Sequence, residues 1–312
     1  MKVISRAGKE DLALVYIAET DDGKRIEFVE SVQPPLTREK KWVIVVSTLY
    51  GCPVGCRFCD AGGDFQGRLS SDEILFQIDY PVQKRFPDGY IPVEKFKIQF
   101  ARMGEPSFNN NVLDVLDMLP LHLNAPGLLP SLSTIAPVGT DKFFERLLKI
   151  KEEHYAGNFQ FQYSIHTTDD KLKNWLIPVK TWSFEKMAEY GAVFSQSGDK
   201  KISLNFALMK GAPIDPQVLL EFFSPDRYLI KITPVNPTYM AINNNISSLI
   251  SQDQENYEVA QELRDAGYDV IMSIGPLEEN QIGSNCGQYL RAHDNCEDAG
   301  IKNGYTYDPE KV

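Results

Sequence analysis

The chain has 312 residues, 43% hydrophobic and 24% charged, ordinary globular values that exclude disordered and collagen-like classes and leave material for a sizeable core. Its formal net charge is -11, and no run of Lys or Arg forms a stripe. Phosphate-backbone binding draws most of its affinity from clustered cations, so the balance argues against a large RNA partner and for a small-molecule or peptide substrate.

In chain order, residues 12–18 and 25–32 are β-prone runs around Asp21-Asp22-Gly23, a turn signal that predicts a hairpin. Residues 1–40 read as a β-hairpin extension. Residues 42–47 are an apolar run, expected of a strand buried on both faces of a parallel sheet, and lead into a cysteine loop. Ser70 and Glu73 form a capping box before Ile74, Ile78 and Val82 at helical spacing. Strand patterns then follow at 96–100, 128–135, 159–165, 202–208 and 228–233, each trailed by helical periodicity. Residues 251–266 read as a helix stopped by Gly267, and 268–274 as an extra strand. Repeated βα units predict an α/β fold with a parallel sheet or barrel over residues 41–240, and residues 241–312 as a C-terminal extension closing the site. The asparagine-rich stretch 241–251 is the most loop-like and is expected to cover that site.

Residues 1–14 carry charges throughout and lack a secretory core, and no apolar run approaches the roughly 18 residues of a membrane span. Five cysteines, three of them clustered, suit a reducing compartment better than a disulfide scaffold. A cytoplasmic protein without membrane contact is expected.

Cys52, Cys56 and Cys59 form a Cys-x-x-x-Cys-x-x-Cys loop. Three thiolates from so short a turn can converge on one centre, and soft sulfur selects zinc, copper(I) or an iron–sulfur cluster. Structural zinc needs a fourth ligand, whereas Cys286 and Cys296 lie far downstream and the four histidines show no pairing. A four-iron cluster held by three cysteines leaves one iron open to a small molecule. Polar residues also gather where the strands end, the mouth of a parallel barrel. Met103-Gly104-Glu105-Pro106 follows the second strand, Ser133 closes the third, Ser164 and His166 the fourth, and Asn236 lies between prolines after the sixth. Gly104 permits close backbone approach, Glu105 can accept from an ammonium, and Ser133, Ser164 and Asn236 offer neutral donors and acceptors.

With Phe58 before its last cysteine, the loop resembles the signature of radical S-adenosylmethionine enzymes. The later motifs, including Asn285-Cys286-Gly287-Gln288, resemble in order and spacing the RNA adenine C-methyl synthases that modify large-subunit ribosomal RNA. The resemblance spans about residues 41–291. It implies a six-stranded partial (β/α) barrel, a 4Fe-4S cluster on Cys52, Cys56 and Cys59, and S-adenosyl-L-methionine contacts at Glu105, Ser133, Ser164 and Asn236; Gly104, through close backbone approach, and His166, which matches the family's post-strand histidine, complete the expected cofactor-binding set. It also implies a reductant such as flavodoxin or ferredoxin, and a working thiol at Cys286.

Two departures qualify it. The family's second working cysteine, seven residues before the first cluster cysteine, is Val45 here, and Cys296 is the spare thiol that could replace it. The family's helical RNA-docking domain has no counterpart in residues 1–40. The sequence therefore predicts hydrogen abstraction from, and modification of, a small molecule or peptide, with Cys286 facing substrate. Its rivals are RNA adenine methylation through Cys286 and a non-enzymatic iron–sulfur redox protein.

Overall fold

A computed structural model describes residues 1–250, 257–285, 290 and 310–312. The chain opens with antiparallel strands β1 (Lys2–Lys9), β2 (Ala13–Glu19) and β3 (Arg25–Val32). The predicted hairpin is β2–β3, with Ala18 opposite Ile26 across the turn. β3 in turn pairs antiparallel with β4 (Trp42–Val46), Val29 opposite Val45, so the extension continues the main sheet. Next come a short ribbon, β5 (Leu49–Cys52) with β6 (Gly63–Arg68), and then helix α1 (Ser71–Arg85). Its capping box is present: Ser70 Oγ accepts from Glu73 N–H at 3.2 Å, and Glu73 Oε2 accepts from Ser70 N–H at 2.8 Å.

From β4 the pairing is parallel. β7 (Phe96–Phe100), α2 (Asn111–His122), β8 (Leu128–Thr134), α3 (Asp141–His154), β9 (Gln160–Ser164), α4 (Asp170–Leu176), α5 (Phe184–Phe194), β10 (Ile202–Leu208), α6 (Pro216–Phe222) and β11 (Tyr228–Pro234) complete the alternation. The rest holds α7 (Tyr239–Asn243), α8 (Glu258–Asp265), β12 (Asp269–Met272), α9 (Leu277–Ile282) and β13 (Glu310–Lys311). Among the described residues the main sheet has eleven strands in the order β12-β11-β10-β9-β8-β7-β4-β3-β2-β1-β13. This is the expected mixed α/β architecture, six parallel strands with an extra C-terminal strand β12, and its two edges do not pair to close a barrel.

Side-chain alternation explains how the sheet makes a site. Trp42, Ile44, Val46, Phe96, Ile98 and Phe100 are buried under the helices and belong to the main core with Ile74 and Ile78 of α1. Their neighbours Val43, Val45, Lys97 and Gln99 point the other way and are half-buried. The apolar run 42–47 is therefore covered fully on one face only, because its inner face lines the hollow of the partial barrel. That face is polar on the next strands, with Ser133 in register with Gln162, and Ser164 with Asn205.

Residues 251–256 of the predicted helix 251–266 lie outside the described residues. Stretch 241–251 also differs from the expectation of a loop, since it begins inside α7. Among the described residues no helix is long and apolar enough to cross a membrane.

Candidate active site

The cysteine loop is the turn of the β5–β6 ribbon, which sequence periodicity did not reveal. Gly51 permits that ribbon: its φ is +69°, and a Cβ there would meet the Asp64 carbonyl oxygen at 2.4 Å. The loop is tied down from two sides. Arg57 donates from N–H to Leu176 O and from Nε to Trp175 O, both at 2.9 Å, which fastens the loop to the end of α4. The Asp60 carboxylate accepts from the N–H groups of Tyr239 and Met240 at 2.9 Å each, while Thr238 Oγ1 donates to Phe58 O at 2.9 Å. Asn244 Nδ2 donates to Arg57 O at 3.0 Å. Thr238–Met240, together with Asn244 from the stretch expected to cover the site, thus buttress the cysteine loop.

Cys52, Cys56 and Cys59 are half-buried. Cys52, Cys56 and Phe58 pack against an apolar cluster that includes Val54, Ile135, Leu176 and Val235. Burial pushes the Cys52 thiol up, opposed by the Val54 N–H. Among the described residues no three His, Cys, Asp or Glu side chains stand together as a ready-made metal site. The donor set nonetheless fits a cluster in number and softness, and its apolar surround is of the kind that tunes such centres.

The strand-end residues divide by what they touch. Glu105 is buried: its Oε1 accepts from Ser107 N–H at 3.1 Å, Ser107 Oγ at 2.7 Å and Thr134 Oγ1 at 2.5 Å, and its Oε2 from Ile135 N–H at 3.0 Å. Burial still raises its carboxyl above the usual range. Four internal donors make it a brace between the ends of β7 and β8, with one lone pair of Oε2 left over. Gly104 has φ +96°, and a Cβ there would lie 2.5 Å from Leu49 Cγ, so close contact with β5 already requires the glycine.

His166, at φ +68°, accepts on Nδ1 from Ala207 N–H at 3.2 Å, and its ring meets the Phe58 ring edge-on at 4.8 Å. Burial, aided by nearby Lys173, lowers its pKa to about 4, so it is neutral at pH 7. It supports the loop through Phe58. Asn236 is half-buried, its carbonyl accepting from Thr238 N–H at 2.8 Å.

Among the described residues two inner-face atoms stand out as buried without a hydrogen-bond partner: Ser133 Oγ and Asn205 Oδ1. Such orphans are costly unless something polar completes them. Ser133 was among the residues expected from sequence. Asn205, 7% exposed and beside Ser164, was not, because within the strand pattern 202–208 it sits in mid-strand, away from the strand ends searched for polar groups.

Cys286 and Cys296 lie outside the described residues. Asn285 and Leu290 are described, and a cavity of about 680 Å³ opens between the cysteine ribbon (Gly51, Asp60), the β2–β3 hairpin (Arg25, Glu27), Met103 and Leu290. Val45 packs in one apolar cluster with Ile282 and Leu290. The position where the resembling family carries its second thiol therefore shares an apolar cluster with Ile282 and Leu290, which lie on either side of residues 286–289.

No family model matches the chain. It is 27% identical over 250 residues to the dual-specificity RNA methyltransferase RlmN of Wolinella succinogenes, covering 76% of this chain and 67% of that one. It is 29% identical over 205 residues to a probable RlmN of Thermus thermophilus, covering 65% and 54%. The matches thus span about two thirds or less of these relatives' own lengths. Among solved structures, a radical SAM methyltransferase from Sphaerobacter thermophilus superposes with a TM-score of 0.69 at 19% identity over 92% of this chain and 80% of that one, a likeness of fold. The relatives' RNA methyltransferase names overturn the expectation that large RNA is excluded in favour of a small-molecule or peptide substrate. That expectation rested on net charge, which averages over the whole surface and is silent about a local docking face.

Proposed function

We propose that this chain, an RlmN-like radical S-adenosylmethionine enzyme in sequence and fold, transfers a methyl group to a carbon of adenine in RNA, with Cys286 as methyl carrier. The observation that carries this reading is the cavity shared by the cysteine ribbon, Met103 and Leu290, four positions after Cys286, in a chain whose sequence relatives are RNA methyltransferases. In this reading Cys52, Cys56 and Cys59 hold a 4Fe-4S cluster. Ser133, Ser164, Asn205 and Asn236 contact S-adenosylmethionine, and Ser133 Oγ and Asn205 Oδ1 gain there the partners they lack. Bound at this place, the two cofactors supply a methyl group and an organic radical, cofactor chemistry that the protein orients and shields.

The chain's own tasks follow. Glu105 holds the Met103–Pro106 turn against β8, its remaining lone pair available to the ammonium of the cofactor. The apolar cluster about Cys52, Cys56 and Phe58 keeps water from the reacting centre. Cys286 accepts the methyl on sulfur and presents it to adenine. Val45 has no nucleophilic or basic group, so release of the modified base falls to another thiol, and Cys296 is the candidate.

The test is peptide mass spectrometry of Cys286 in protein purified from cofactor-replete cells, with a labelled-methyl assay on large-subunit ribosomal RNA. A methylated Cys286 and labelled adenine are expected, both lost in Cys286→Ala. Unmodified Cys286 together with unlabelled RNA overturns the reading.

A further inference from the structure

Arg102 stands directly before Met103 and is 3% exposed. Its Nε lies 2.9 Å from Oε1 of Glu27 on β3, and both side chains are removed from solvent. Its remaining donors all go to one backbone segment: Nη1 to Ser284 O at 2.7 Å and Asn285 O at 2.5 Å, Nη2 to Gly283 O at 2.5 Å. The other Glu27 oxygen accepts from Leu290 N–H at 2.5 Å. One buried ion pair therefore grips the chain on both sides of residues 286–289.

Stability alone does not call for such a device. Carbonyls at a helix end, such as those after α9, are ordinarily satisfied by water or by a local cap. Desolvating a guanidinium and a carboxylate is costly, and apolar residues of similar volume often hold a fold as well. The apolar part of the attachment already exists, because Ile282 and Leu290 pack with Val15, Ile17 and Val29. What the pair adds is geometry: a planar fork fixes three successive carbonyls and a carboxylate relative to Met103. Glu27, Met103 and Leu290 also line the cavity beside the cysteine loop.

We propose that Arg102 and Glu27 are positioning residues that hold the segments flanking residues 286–289 in register with the cofactor loop, and so set how tightly cofactor consumption is coupled to methyl transfer. This rests on the methyl-carrier reading above. Arg102→Met alone strands a buried carboxylate and endangers folding, so the informative variant is Glu27→Leu with Arg102→Met, which removes both charges. In the reconstituted full chain it is expected to retain wild-type iron, to exchange the amides of residues 283–285 and 290 at least tenfold faster, and to form at least tenfold more 5'-deoxyadenosine per methyl transferred. Arg102→Lys, a point charge without the fork, is expected between the two.

Unchanged amide exchange overturns the proposal, as does faster exchange with unchanged coupling. A wild-type chain that transfers no methyl to Cys286 or RNA sinks the methyl-carrier reading instead, and the coupling role with it, while amide exchange still decides whether the pair holds the segment.

Discussion

At the scale of single residues, polar groups that sequence reasoning gathered around one imagined ligand separate into braces and open positions. Glu105 is engaged by Ser107, Thr134 and Ile135, and His166 by Ala207 and Phe58, whereas Ser133 presents an atom with no partner among the described residues, as does Asn205, which the sequence pattern had not singled out. His166 carries a consequence for stability. Its pKa falls from 6.5 to about 4 on folding, so the unfolded chain binds a proton more readily across that window. The folded state keeps its full advantage above pH 6.5 and loses it on acidification, by about 2 kcal/mol at pH 5. Urea titrations at pH 7.5 and pH 5 should show that loss in the wild type and a flatter response in His166→Gln. An equal acid sensitivity in the variant would place the titrating group elsewhere.

The elements matter chiefly for what they fasten. The ribbon β5–β6 lifts the cysteines off the end of β4, and α7 holds them through Asp60 and Thr238. Removing the Asp60 carboxylate orphans two backbone N–H groups, each worth roughly 1–3 kcal/mol when buried. Asp60→Ala is therefore expected to lower iron retained per chain after anaerobic reconstitution by about half or more, with Asp60→Asn intermediate because its amide keeps one acceptor. Full iron retention in Asp60→Ala would show that the loop holds its form without α7.

For the whole molecule, the acidic balance and the RNA methyltransferase relatives impose a joint expectation. The chain's 32 Lys and Arg are outnumbered by 43 Asp and Glu, and no run of them forms a stripe along the sequence. Its affinity for an RNA hairpin should fall only about tenfold or less between 50 and 200 mM salt, as for roughly two phosphate contacts. Filter binding across that range tests this, and a thousandfold loss would reveal a concentrated basic face. The sheet sets β8, β9 and β10 side by side, while the Arg102–Glu27 ion pair ties β3 to the residue before Met103.

The sequence by itself determined the alternation of strands and helices, the α1 capping box and the three-thiol donor set, because each depends on spacing within one short stretch. It left the β5–β6 ribbon unseen, because pairing around a turn rich in glycine (Gly51, Gly63, Gly67) is settled by contacts rather than by propensity. It could not rank Glu105 against Ser133, since whether a polar atom is engaged or open depends on partners from other strands. Nor could it find Arg102, whose partners lie 75 positions upstream and about 180 downstream. Local chemistry was legible; which residues of distant stretches meet in one hollow was decided only by the sheet that brings them together.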